Sequence, residues 1–249
     1  MKHKLLKKFV GWFGYKLVEK REIKNDRLLT KKTYINIHNI INFLIKKNEI
    51  RTIIQIGAND GKKFDDLSNY IKKNNIKSIL VEPIVENFEK LKKNYENLDN
   101  VIFENSAVSI NNEINLLYKV DEKYLKFYDD YASGITSFKI QHLIKHGIKQ
   151  SHISSVNVNS ISVKDLLIKH KIENLDLLYV DTEGYDGQIV NNFVSNFSLR
   201  SYIVFEYIHI KENDFNSVIE SLLLAKYNFF PINENIFCFP EEKKHLFIS

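Results

Sequence analysis

A chain of 249 residues, 44% hydrophobic and 27% charged, is long enough to bury a sizeable core and too apolar for global disorder. Its net charge of +5, partly gathered in the first residues, fits a local anionic contact and not a nucleic-acid groove. One cysteine, Cys238, excludes an intrachain disulfide and a cysteine-based zinc cluster and fits a reducing compartment.

Residues 1–50 divide from residues 51–249. The first stretch, 1–20, sets Lys2, Lys4, Lys7, Lys8 and Lys16 among Leu5, Leu6, Phe9, Trp12, Phe13 and Leu17. As a helix it is amphipathic and basic, suited either to the surface of an anionic membrane or to packing on the domain. It lacks the long apolar core and cleavage site of a secretory signal, and no window reaches the ~20 apolar residues of a spanning helix. The expected setting is the cytoplasm, with peripheral contact at the inner face of the membrane. A charged linker over 21–32 follows, then an amphipathic helix over 34–47 with Ile37, Ile40, Ile41, Leu44 and Ile45 inward.

Thr52 to Ile56 reads as a short buried strand. It runs into a turn bracketed by Gly57 and Gly61 and then into a helix over 63–73. Glycines there let a ligand approach the backbone, and in open α/β sheets ligands sit beyond the carboxyl ends of strands. The spacing is G-x-x-x-G and not the G-x-G-x-x-G of dinucleotide enzymes. A second strand, Ser78 to Val81, ends at Glu82-Pro83, about 20 residues past the turn, where an acid reaches a ribose diol. An ionised carboxylate can accept from both vicinal hydroxyls.

The helix over 85–98 places Phe88, Leu91 and Tyr95 on one face, a stripe for the core. A third strand over 101–103 leads into Glu104-Asn105-Ser106-Ala107, where short polar side chains can border an adenine. Residues 113–120 form a further strand, in a hairpin after Ser109 to Asn112. Tyr131 to Phe138 is a small-residue loop that is either a lid or a plain connection. His142 and His146 follow at i and i+4 on a helix, a metal-compatible spacing. A solvated face is the commoner meaning, and no third ligand is signalled nearby. Val156 to Ile161 alternates as one edge strand, and Ser162 caps the helix over 163–170.

Leu175 to Asp186 is the second informative stretch. A buried strand delivers Asp181, Glu183 and Asp186 to one loop, and the next strand ends at Glu206 and His209. Clustered acids at strand ends are costly unless they meet a cation or a proton to move. The alternative for Asp181 and Asp186 is that they bond loop amides. Residues 227–232 and 236–239 form a closing antiparallel hairpin.

Gln55 to Gly61, Val81-Glu82-Pro83, Ser133 to Ser137 and Asp181 to Asp186 together resemble an FkbM-type S-adenosylmethionine-dependent methyltransferase. The likeness runs from about residue 53 to 209. It implies an α/β, class I methyltransferase fold: a Rossmann-like, mostly parallel seven-stranded sheet with helices on both faces and a C-terminal antiparallel hairpin. It further implies O-methylation of a sugar or glycan precursor, in surface polysaccharide or glycolipid synthesis. By position, Gly57, Asn59 and Gly61, with Asp60 beside them, would cradle the amino-acid part of S-adenosylmethionine. Glu82, beside Pro83, would take the ribose. Asn105, Ser106 and Ala107 would border the adenine, with Asp181 nearby. Gln55 departs from the pattern, since many methyltransferases carry an acid there to support the cofactor's ammonium group.

Deprotonation of a weakly acidic hydroxyl calls for a base. Asp181 is the first candidate, His209 the second and Glu183 the third. Asp181, Glu183 and Glu206 could alternatively hold Mg²⁺ or Mn²⁺ to activate the hydroxyl. The competing reading is a non-catalytic scaffold that binds a nucleotide-like ligand in a glycan-assembly complex. Nucleic acid is not expected as a partner, because basic residues are not interleaved with aromatics for base stacking.

Overall fold

The computed structural model describes residues 36–62, 67–112 and 116–247. The amphipathic stretch 1–20 and the charged linker lie outside these residues, as do the first turn of the helix expected over 63–73 and the start of the strand expected over 113–120.

The first described helix, α1 (Ile37–Lys46), is capped by Asn36, whose side chain accepts from the Asn39 amide. Its buried face of Ile37, Ile40, Ile41 and Leu44 packs with sheet residues Ile53, Leu80 and Val204, so it belongs with the sheet that follows. The compact unit it belongs to begins at Asn36. Next come β1 (Thr52–Ile56), α2 (Ser68–Asn74), β2 (Lys77–Val81), α3 (Val85–Asn94) and β3 (Val101–Glu104). Farther on are α5 (Val163–Lys169), β9 (Leu177–Val180), α6 (Asp186–Asn196), β10 (Tyr202–Glu206), α7 (Glu212–Leu224), β11 (Tyr227–Ile232) and β12 (Asn235–Pro240). Helices α6 and α7 fill stretches for which the sequence suggested no element.

These strands form one seven-stranded sheet in the order β11-β12-β10-β9-β1-β2-β3. Six run parallel and β12 alone runs against them, which is the class I methyltransferase arrangement. Alternation along each strand assigns the two faces. Ile54, Ile56, Val180 and Phe205 pack with Val190, Phe193 and Leu222 on one side. Ile53, Tyr179 and Val204 pack with Ile41, Leu44, Leu91 and Tyr95 on the other. Register between β1 and β9 is pinned by Asp176, whose carboxylate accepts from the amides of Arg51 at 2.8 Å and Thr52 at 2.9 Å. Fully burying one such isoleucine or leucine contributes about 1.5–3 kcal/mol.

Between β3 and α5 the chain builds two small sheets. β4 (Ala107–Ser109) pairs in parallel with β8 (Ser160–Ser162). β5 (Leu116–Val120) lies between β6 (Thr136–Ser137) and β7 (Ile153–Asn157), antiparallel to both. The hairpin expected after Ser109 therefore does not form. The single strand expected over 156–161 is two, in different sheets, interrupted at Val158-Asn159. Ser162 caps α5 as expected, accepting from the Asp165 amide at 3.0 Å. The three-stranded sheet and α4 (Ile140–Lys145) enclose a satellite core of Val120, Ala132, Ile135, Leu143 and Ile148. No helix among the described residues is long and apolar enough to cross a membrane.

Candidate active site

Four adjacent strand ends, those of β10, β9, β1 and β2, open onto a cavity of about 490 Å³. Its lining takes Gly57 and Asn59 from the turn after β1 and Glu82 and Pro83 from the end of β2. Asp181 and Glu183 come from the loop after β9, and Glu206 and His209 from the end of β10. Gly134, Ile135, Thr136 and Phe138 of the satellite complete the wall. The small-residue loop thus borders the cavity.

Gly57 is where the two halves of the site meet. Its φ is +89°, and a Cβ there would overlap the carbonyl oxygen of Asp181 and stand 2.9 Å from its carbon. Only a residue without a side chain lets the turn after β1 lie against the end of β9.

Glu82 is 5% exposed. One carboxylate oxygen accepts from the Asn59 amide at 3.0 Å and the other from the Ile84 amide at 2.9 Å. Burial pushes its pKa up to about 7 against the pull of those two amides and Asn87. Each oxygen has a second lone pair, so a ligand diol facing the cavity can still be accepted.

Other expected cofactor residues are placed differently. Gly61 faces the core, where a Cβ would stand 2.6 Å from both Leu91 and Tyr95, so its lack of a side chain serves packing. Asp60 closes the turn by accepting from the Lys62 amide at 2.9 Å, and it lines an adjoining smaller cavity. Asn105 donates to the carbonyls of Glu82 and Pro83 at 2.9 and 3.2 Å, bracing the cavity floor from behind. Ser106 and Ala107 line the cavity, with Ser106 Oγ also donating to Glu104. Gln55 is buried on the sheet and is not part of the lining.

The loop after β9 is held by Asp186, which is fully buried. It accepts from the Thr182 hydroxyl at 2.9 Å and from the Thr182 and Gly184 amides at 3.2 and 3.1 Å. For Asp186 the amide-bonding alternative is the one observed. The braced loop puts Glu183 in the left-handed region, at φ +55°, and carries its carboxylate to within 3.2 Å of His142 Nε2 and 3.6 Å of His209 Nε2.

Glu206 Oε2 is buried and, among the described residues, without a hydrogen-bond partner; His209 Nε2 lies 3.7 Å away. Burial, then the negative charges of Asp181, Glu183, Asp186 and Glu234, push its pKa to about 9. Burial holds His209 below the ordinary imidazole range, the Glu183 charge opposing this and His142 and His146 reinforcing it. At neutral pH this end therefore holds a protonated Glu206.

Among the described residues, two sets of ligand atoms lie within 4.8 Å of one another, His142 with His146 and His209, and Glu183 with Glu206 and His209. Asp181 belongs to neither, so the metal grouping expected from the sequence is not the one assembled. His209 is the third ligand that reading His142 and His146 along one helix could not supply, because it comes from the end of β10, far along the chain.

The sequence profile described as the methyltransferase FkbM domain matches residues 55–230. Among solved structures, the methyltransferase FkbM from Methylobacillus flagellatus KT is 9% identical with a TM-score of 0.46, over 77% of this chain and 44% of that one. A human methyltransferase 10 domain containing protein is 11% identical with a TM-score of 0.41, over 96% and 95%. The Methanococcus jannaschii fibrillarin pre-rRNA processing protein is 11% identical with a TM-score of 0.38, over 76% and 65%. The chain thus spans less than two-thirds of the first and last of these. The comparison with curated proteins found no match.

Proposed function

Because the chain belongs to the methyltransferase FkbM domain family, we propose that it is an S-adenosylmethionine-dependent O-methyltransferase acting on a hydroxyl of a sugar or glycan precursor. Family membership implies the cofactor. The observation that carries the reading is the cavity's charge. Its acidic lining is Glu82, Asp181, Glu183 and Glu234, with Glu206 protonated at neutral pH, and among the described residues it includes neither Lys nor Arg. Such a site favours a sulfonium cation and disfavours a dinucleotide diphosphate or a nucleic-acid backbone.

The residues present fit the cofactor. Glu82 would accept the ribose hydroxyls, the turn at Gly57 and Asn59 would pass under the amino-acid part, and Ser106 and Ala107 would border the adenine. When bound, the cofactor would supply an electrophilic methyl group to the acceptor oxygen, with its sulfur as the leaving group. The protein's main task is to hold the acceptor oxygen in line. Asp181 stands at the end of β9 against Gly57 and is the base that takes the hydroxyl proton. Glu206 is protonated at neutral pH and does not fill that role. Thr136, Thr182 and Glu234 with Phe138 give the acceptor side a polar lining and one aromatic face, which supports a hydroxyl-rich substrate. The proposed setting is surface polysaccharide or glycolipid synthesis in the cytoplasm, with residues 1–20 touching the membrane's inner face.

Calorimetric titration with S-adenosylmethionine tests the reading, with NAD as control and Glu82→Ala alongside. Binding that the substitution removes supports it and makes an acceptor screen on glycan precursors the next step. No binding by the wild-type chain would reject it in favour of a scaffold.

A further inference from the structure

We propose that His142, His146, His209 and Glu183 form a binding site for one transition-metal ion of the zinc class, at the acceptor end of the cavity. Binding of the ion stands independently of the methyl-transfer reading; only its catalytic use rests on that reading.

The four groups come from three separate elements. His142 lies in α4 and His146 ends it, Glu183 lies in the loop after β9, and His209 follows β10. The ring centroids of His142, His146 and His209 are 4.4, 4.7 and 4.9 Å apart pairwise, and one nitrogen from each lies within 4.8 Å of the others. Glu183 Oε2 stands 3.2 Å from His142 Nε2 and 3.6 Å from His209 Nε2. Tetrahedral coordination with bonds of about 2.0–2.1 Å separates its ligands by roughly 3.3 Å, so Glu183 is already near ligand spacing from two imidazoles.

Two further observations point to a cation. His146 Nδ1 lies 2.9 Å from the His142 carbonyl oxygen. A carbonyl can only accept, so Nδ1–H donates and the lone pair resides on Nε2, the arrangement that orients metal-binding imidazoles. Glu206 Oε2, buried and without a hydrogen-bond partner among the described residues, lies 3.7 Å from His209 Nε2. A dication among the imidazoles would meet this orphaned polar atom.

Three imidazoles with one carboxylate suit Zn²⁺ or Co²⁺ and are a poor set for Mg²⁺, which prefers oxygen donors and water. In methyl transfer the ion would act as a Lewis acid, lowering the pKa of the acceptor hydroxyl whose proton Asp181 takes.

The test titrates chelator-treated, full-length protein with ZnCl₂ by calorimetry and with CoCl₂ by visible absorption, against MgCl₂ and S-adenosylmethionine. Expected are one zinc per chain, a tetrahedral cobalt spectrum, no competition from magnesium, and more than about 100-fold weaker zinc binding in His209→Ala and in His146→Gln. Circular dichroism and thermal unfolding in chelator establish that each variant is folded. Absence of zinc binding, or zinc binding unchanged in a folded His209→Ala, would overturn the proposal, the latter by reducing the site to a surface histidine pair. Zinc binding without S-adenosylmethionine binding upholds the metal site and rejects the methyltransferase reading; the converse rejects only the metal site.

Discussion

Gly57 and Asp181 share a space that admits no side chain: a Cβ on residue 57 would overlap the Asp181 carbonyl oxygen. The cofactor floor and the proposed base are thereby set side by side. Gly57→Ala should cost about 1–3 kcal/mol in backbone strain alone, with the overlap added. Gly147, at φ +81° with open space around it, separates the two contributions. Urea denaturation should show Gly147→Ala losing only the strain and Gly57→Ala distinctly more, together with cofactor binding. Equal losses would mean that the close approach to Asp181 is unimportant.

Glu82 should make cofactor affinity depend on pH. Its carboxylate form accepts a diol, and burial brings its pKa to about 7. Above that value the group is ionised and affinity should be level. Below it, protonation competes, and the dissociation constant should rise toward tenfold per pH unit. Calorimetry from pH 5.5 to 8.5 would show this slope in the wild-type protein and a flat response in Glu82→Gln. A flat wild-type profile would remove Glu82 from the diol site.

Glu206 carries the opposite lesson, a penalty in the free protein. Its folded pKa of about 9 lies above the ordinary 4.5, so its contribution to stability is fully present below about pH 4.5 and is lost as pH rises through 9. In chelator-treated protein, Glu206→Gln should therefore raise Tm, with an advantage that grows from about pH 5 to pH 9. A gain of about 1 kcal/mol corresponds to about 2–4 °C for a chain of this size. A pH-independent difference would show that the charge of Glu206 is not what destabilises this end of the site.

Asp186 and Asp181 should separate cleanly. Asp186→Ala removes the acceptor for the Thr182 hydroxyl and for the Thr182 and Gly184 amides. It leaves partly buried donors unsatisfied, at up to about 1–3 kcal/mol each, and should lower stability and activity together. Asp181→Asn should keep Tm and S-adenosylmethionine binding while abolishing turnover. Thermal unfolding beside a methyl-transfer assay distinguishes them, and retained turnover in Asp181→Asn would reject it as the base.

Local features were the legible ones. The turn after β1, Glu82 at the end of β2 and the Ser162 cap are written in a few adjacent residues, and the order of buried strands carried the sheet. What escaped was non-local. The three-residue strands β4 and β8 are too short to show a period, so their parallel pairing across the intervening segment left no trace and a hairpin was expected instead. Gly61 read as a ligand contact because a glycine's spacing does not say whether backbone, ligand or core occupies the space beside it. His209 stood apart from His142 and His146 because only the folded sheet brings the end of β10 to α4.

The satellite behind Gly134 and Phe138 has a hydrophobic core of its own, built on Val120, Ala132, Ile135, Leu143 and Ile148. Descendants of such a chain could recut the acceptor wall, lengthening a loop or exchanging an aromatic, while the strand ends that face the cofactor stay as they are. Divergence in substrate and persistence of chemistry would then be recorded in different parts of one polypeptide.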